Sequence, residues 1–212
     1  MNPIILEHVP ENAEKVFIGK SRHHNRISQK DVEKMMVEKA KEGKTVVRLK
    51  GGDPFIFGRG GEEAETLIEA GIEWDVIPGV PSGIAAPAYS GIPLTHRNCS
   101  DSVTFITGHE GTGKPEIDWS KIKLHNNTLV IFMGISNIGR IVSQLLQSNY
   151  TKDTPIAIIE SGTTEKQKVR TSTLNKIIES VQKDPVETPA LIVVGEVVNY
   201  REKLNKYFLK NK

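Results

Sequence analysis

The sequence predicts an α/β fold. Three features point there: short β-branched apolar runs, helical stripes between them, and glycine or polar punctuation at the changes. The runs are residues 15–19 (KVFIG), 45–49 (TVVRL), 103–107 (VTFIT), 128–133 (TLVIFM), 156–160 (IAIIE) and 190–195 (ALIVVG). Each is almost continuously apolar, as strands covered on both faces tend to be, so the pairing is predicted to be largely parallel.

The helices follow in order. Ser28 with Asp31 three residues on forms a capping-box pattern with the shorter acid. Val32, Met35, Met36 and Ala40 then make one apolar stripe, and Gly43 is placed to end it. A second helix is predicted over 61–70, closed by Gly71. Ser136 opens a third, with Ile138, Ile141, Val142, Leu145 and Leu146 at helical spacing, and residues 173–183 give a fourth. The polar stretch 95–102 is the expected boundary between two small α/β lobes, residues 1–98 and 99–212. A cleft between such lobes is a common ligand site.

Composition narrows the function. In 212 residues, 28 basic and 26 acidic side chains leave a formal charge of +2, too small for a nucleic-acid-binding domain. No apolar run approaches the ~20 residues of a membrane span. No secretory leader pattern opens the chain, and the lone Cys99 fits a reducing compartment, so a cytoplasmic protein is expected. His8, His23, His24, His96, His109 and His125 show no paired ligand spacing, and one cysteine cannot build a zinc site, so no metal is expected. The lysine-rich stretch 201–212 reads as a solvated terminal helix or tail.

The most informative stretch is 46–63, VVRLKGGDPFIFGRGGEE. A buried run leads into Gly51 and Gly52, which let the backbone approach a ligand, followed by Asp53 and the turn-forcing Pro54. Spacing alone leaves two readings open, a carboxylate holding a nucleotide-like cofactor or an ordinary turn with Asp53 as a cap. Residues 108–115, GHEGTGKP, nearly match the phosphate-binding P-loop. Pro115 has no hydroxyl for magnesium and no periodic helix follows, so a loop is expected.

Stretch 46–63 resembles the signature of the tetrapyrrole methylases, and among them the uroporphyrinogen-III C-methyltransferases, nearly residue for residue. YSGIPLTHR at 89–97 resembles a second signature, and PGV at 78–80, TGH at 107–109, FMG at 132–134 and ESGT at 160–163 follow in family order. The resemblance implies successive C-methylation of two pyrrole carbons of uroporphyrinogen III to give precorrin-2, for sirohaem or cobalamin synthesis. It implies S-adenosylmethionine as methyl donor, no metal, and a homodimer. The implied donor contacts are Gly51, Gly52, Asp53, Ile56, Met133, Gly162 and the pair after Pro-Gly-Val, here Pro81 and Ser82. Relatives usually have threonine at the first of that pair. Proline lacks the hydroxyl and the backbone donor, which leaves the contact to Ser82.

Lys20 matches a position with a proton-donor role in the family; read by itself it is a solvated strand-end lysine. His96, Arg97 and Arg59 are candidates for the substrate's carboxylates, which arginine's planar fork pairs in bidentate fashion, or for inter-lobe salt bridges. Relatives usually begin with a strand, a glycine-proline-glycine-aspartate turn and a helix, then a tyrosine-aspartate pair that includes the proposed proton acceptor. None of these precedes Lys15, so the chain is expected to be truncated. A non-catalytic remnant and another cobalamin-pathway methylase are the alternative readings.

Overall fold

The computed structural model describes residues 3–19, 27–108, 117–122, 125–148 and 150–206. Contacts divide the chain into two compact units, Met1–Pro81 and Ser82–Lys212.

In the first unit, a 3₁₀ turn at Pro3–His8 is followed by helices α1 (Gln29–Lys41) and α2 (Gly60–Glu69). Ser28 caps α1, its hydroxyl accepting from the Asp31 N–H at 3.1 Å. Val32 is the buried centre of the α1 stripe, and Gly43 and Gly71 end their helices at φ 78° and 68°. The runs 15–19 and 45–49 were expected as strands, yet neither joins a ladder among the described residues. Phe17 is 64% and Val47 80% exposed. A β-branched run becomes a strand only against a second backbone in register, and the described residues of this unit provide none.

The second unit is built on one five-stranded sheet, in the order β1-β2-β5-β3-β4. The strands are β1 (Ser102–Thr107), β2 (Asn127–Phe132), β3 (Pro155–Glu160), β4 (Lys168–Thr173) and β5 (Ala190–Val194). Four of them match the runs predicted in this part of the chain. The expectation of largely parallel pairing is corrected, since only β1 and β2 run parallel. Strand β5 runs antiparallel to β2 and β3, and β3 forms an antiparallel hairpin with β4. Continuous apolar runs report burial on both faces, which β2 and β3 have along their whole length, but carry no information on direction.

Period-2 alternation sorts the core. Leu129, Ile131, Ile156, Ile158, Ile192 and Val194 face Ile138, Ile141, Val142 and Leu145 of α4 (Ile138–Gln147) and Ile177 of α5 (Ile177–Lys183). Val130, Phe132, Ala157, Ile159, Leu191 and Val193 face the other way, toward Ala86, Ile92, Val197 and Val198. Ala86 lies on α3 (Ser82–Tyr89), so the chain from Ser82 already packs on this sheet. The contact boundary therefore follows Pro81 rather than falling in the polar stretch 95–102. The fourth predicted helix is corrected at its start: Thr173 ends β4 opposite Pro155, and α5 begins at Ile177. Arg170 of β4 closes that helix's far end, donating to the Ser180 and Asp184 carbonyls and to the Asp184 carboxylate. A short helix, α6 (Tyr200–Asn205), ends the described chain.

Candidate functional site

In the first unit, the signature 46–63 folds as a turn fixed at several points. The Asp53 carboxylate accepts from the Phe55 N–H at 2.8 Å, an Asx turn, and through its other oxygen from the Gly79 N–H at 3.1 Å. These two donors, Gly79 foremost, hold the Asp53 carboxyl below its usual range. A Cβ on Gly79 would lie 2.7 Å from the Gly52 carbonyl oxygen, so the approach of the two backbones requires glycine there. The Gly60 N–H donates to the Pro54 carbonyl at 2.9 Å and closes the loop into α2.

What this turn leaves open is backbone. Gly51 and Gly52 are exposed and, among the described residues, enter no backbone hydrogen bond. Ile56 is 37% exposed beside them in sequence and offers an apolar surface. Phe57 and Arg59 sit in the left-handed region at φ 52° and 62°, backbone strain of a kind that clusters at functional turns. The Arg59 side chain makes an exposed contact with Glu62, Nε to Oε1 3.4 Å.

A group the motif reading did not single out lies behind the turn. The Glu63 carboxylate, 4% exposed, accepts from Lys50 Nζ at 2.6 Å, Gln29 Nε2 at 2.8 Å and Arg48 Nε at 3.0 Å. Burial pushes the Glu63 carboxyl up, but the Lys50 and Gln29 hydrogen bonds with the Arg48 and Lys50 charges outweigh it, and the net shift is downward. The only signal in the sequence was the period-2 placement of Arg48 and Lys50 on one side of the run.

In the second unit, β1, β2 and β3 run in one direction, so their carboxyl ends share one rim of the sheet. Met133 follows β2 there, half exposed at φ 53°. Ser161 and Thr163 follow β3 at φ 46° and 68°, flanking Gly162. A Cβ on Gly162 would stand 2.4 Å from Ala86 Cβ, so α3 packs directly on this turn. The rim thus presents non-glycine residues in a disfavoured backbone region at the carboxyl ends of β2 and β3, which flank β5, and the carboxyl-end rim is the usual place for a ligand in an α/β sheet.

The remaining predicted residues lie on other elements. Ser82 is exposed at the first position of α3, and Pro81 before it is buried. The His96 ring accepts from the Asn98 N–H at 3.2 Å and lies 4.0 Å from the Tyr200 ring, which gives it a turn-forming part. Arg97 is exposed, with no ion-pair partner among the described residues. Cys99 lies near Tyr200 and Glu196; burial and then the Glu196 charge push its thiol up, away from the reactive range. Lys20 and residues 109–115 of the P-loop-like stretch lie outside the described residues. Among the described residues no His, Cys, Asp or Glu side chains group as metal ligands, and no helix is long and apolar enough to cross a membrane.

Comparison with known proteins places these features in context. The family model for Tetrapyrrole (Corrin/Porphyrin) Methylases matches residues 1–178. The S-adenosyl-L-methionine-dependent uroporphyrinogen III methyltransferase of Methanosarcina barkeri is 46% identical over 204 residues, covering 95% of this chain and 80% of that protein. The siroheme synthase of Acinetobacter baylyi is 44% identical over 200 residues, covering 94% of this chain but only 44% of that longer protein. Among solved structures, the uroporphyrin-III C-methyl transferase of Thermus thermophilus complexed with S-adenyl homocysteine matches with a TM-score of 0.73 at 33% identity. That alignment covers 89% of this chain and 79% of the other.

Proposed function

The chain belongs to the tetrapyrrole methylases, and from that premise we propose that it transfers methyl groups from S-adenosylmethionine to two pyrrole carbons of uroporphyrinogen III, giving precorrin-2. The observation that carries this reading is the turn at 51–53, whose glycine backbone is exposed and, among the described residues, without a backbone hydrogen bond while Asp53 fixes its shape. Free amide and carbonyl groups on a preformed turn suit a ligand with amino, carboxylate and hydroxyl groups at low ordering cost. Gly51, Gly52 and Ile56 are proposed donor contacts in the first unit, and Ser82, Met133 and Gly162 in the second. Asp53 acts by holding the turn.

The methyl group leaves a sulfonium for a carbon of the substrate, so the protein needs no covalent nucleophile. Its work is to align that carbon with the methyl for in-line displacement and to accept the pyrrole proton. Arg97, exposed and free of an ion pair among the described residues, is proposed to receive substrate carboxylates. Arg59 can release its solvent-exposed Glu62 contact for the same purpose. The matched relatives support a product directed to sirohaem, and the family resemblance supports a cytoplasmic homodimer.

The test is an anaerobic assay of the purified chain with uroporphyrinogen III and methyl-labelled S-adenosylmethionine, beside calorimetric titration with S-adenosylhomocysteine. Label entering the tetrapyrrole twice supports the reading. Binding without label transfer would make the chain a ligand-binding remnant, and no binding would remove the reading altogether.

A further inference from the structure

Resting on the reading that the turn at 51–53 binds the methyl donor, we propose that Glu63 is a positioning residue: its buried carboxylate, clasped by Lys50, Arg48 and Gln29, holds the stem of that turn in its binding conformation.

Four observations converge on this. Glu63 is the one buried acid of α2, 4% exposed, while Glu62, Glu65 and Glu69 face solvent. Both its oxygens are used, Oε2 by Lys50 and Oε1 by Arg48 and Gln29. Those donors come from three separate places: the start of α1, the run before the turn, and the residue directly preceding Gly51. Finally, the run 45–50 has no backbone ladder among the described residues, and the Glu63 carboxylate ties its Arg48 and Lys50 side chains to α2.

The far side of the turn is already tied, by Asp53 to the Phe55 and Gly79 amides and by Gly60 to Pro54. The near side holds two consecutive glycines, the residues with the most backbone freedom to lose. With Lys50 clasped, at 9% side-chain exposure, that freedom is restricted before any ligand arrives. Without the clasp the turn populates its competent form for a smaller fraction of the time, and apparent affinity falls by that same fraction. A carboxylate buried with two cations is a device for one geometry more than for net stability.

The experiment titrates the full chain with S-adenosylhomocysteine by calorimetry and measures steady-state kinetics, with circular dichroism confirming each variant is folded. A fall of the competent fraction to about a tenth makes Glu63→Gln and Lys50→Met bind about tenfold more weakly. The loss is expected in KM for the methyl donor, with kcat and KM for the tetrapyrrole held. Lys50→Arg, which keeps a cationic donor, is expected to bind more tightly than Lys50→Met, and Glu65→Gln on the exposed face to match the wild type. If Glu63→Gln does not fold, Lys50→Met decides. Folded variants that bind within about twofold of the wild type overturn the proposal. A wild-type chain that binds no S-adenosylhomocysteine overturns the underlying reading, and this one with it.

Discussion

Two glycine-to-alanine changes in the second unit are predicted to have opposite signs. At Gly162 the added Cβ would stand 2.4 Å from Ala86 Cβ and 3.3 Å from Ala86 Cα. Carbon atoms pack at about 3.5 to 4.0 Å, so α3 or the turn after β3 must move by roughly an ångström. Overpacking of this kind costs about 1 to 3 kcal/mol. At Gly139, inside α4, the added Cβ meets nothing within 4 Å. There alanine gains about 0.5 to 1 kcal/mol from reduced chain entropy. Neither glycine has a positive φ, so space alone separates them. Ala86→Gly costs about 1 kcal/mol alone as a helix-interior glycine, but added to Gly162→Ala it removes the clash. The pair should therefore show a favourable coupling of about 0.5 to 3 kcal/mol. Urea unfolding followed by Trp119, 7% exposed in the sheet core, reads the second unit alone once Trp74 is replaced by phenylalanine. A loss of 2 kcal/mol lowers the midpoint by about 1 M. If Gly162→Ala leaves the midpoint unchanged, or Ala86→Gly adds its full cost, the packing of α3 on that turn is not as described.

Three further outcomes are expected. Asp53→Ala weakens S-adenosylhomocysteine binding with little change in thermal stability, because the carboxylate organises a surface turn; calorimetry with unchanged affinity would leave it a mere cap. Arg97→Ala raises KM for uroporphyrinogen III more than that for the methyl donor, by the about 1.5 to 3 kcal/mol of a charge-assisted hydrogen bond, whereas equal effects in initial-rate assays would mean a structural part. The Glu63 carboxyl lies below its ordinary 4.5, so its stabilisation of the first unit is complete above that value and lost as pH falls through the folded value. Acid titration of far-ultraviolet circular dichroism should show this loss in the wild type and a flatter profile in Glu63→Gln; identical profiles would exclude the clasp as its source.

Much of the second unit was legible because burial on both faces leaves an unmistakable sequence trace. VTFIT, TLVIFM, IAIIE and ALIVVG are strands, and the stripe from Ile138 to Leu146 is α4. The trace ends where burial does. KVRTST forms β4 at the sheet edge, half exposed and charged at Lys168 and Arg170, and such a strand looks like a loop until its partner is known. SGIAAPAY forms α3 although it lacks a polar face and holds Pro87 inside. Its helix is set by contact, since Gly83 would place a Cβ 2.5 Å from the Phe132 ring and Ala86 sits against Gly162. Strand direction was illegible for a related reason: an apolar run records what covers it, not which way it points.

The candidate site was legible as a motif and hidden as a mechanism. Sequence left Asp53 as either a ligand for a cofactor or a cap, and geometry shows that each carboxylate oxygen accepts one backbone amide and so fixes the turn. The same holds for the rest of the signature. Arg48 and Lys50 are spent on Glu63, and Arg59 meets Glu62, so each charged side chain from Val46 to Glu63 has a partner within the unit. What the motif keeps free, among the described residues, is the backbone of Gly51 and Gly52. Charges there shape a turn, and its peptide groups at Gly51 and Gly52 are left exposed. The segment also tolerates no Cβ at Gly58, Gly60 and Gly79, where neighbouring backbone oxygens would stand within 3 Å, so its glycines and its charged side chains fix the turn together.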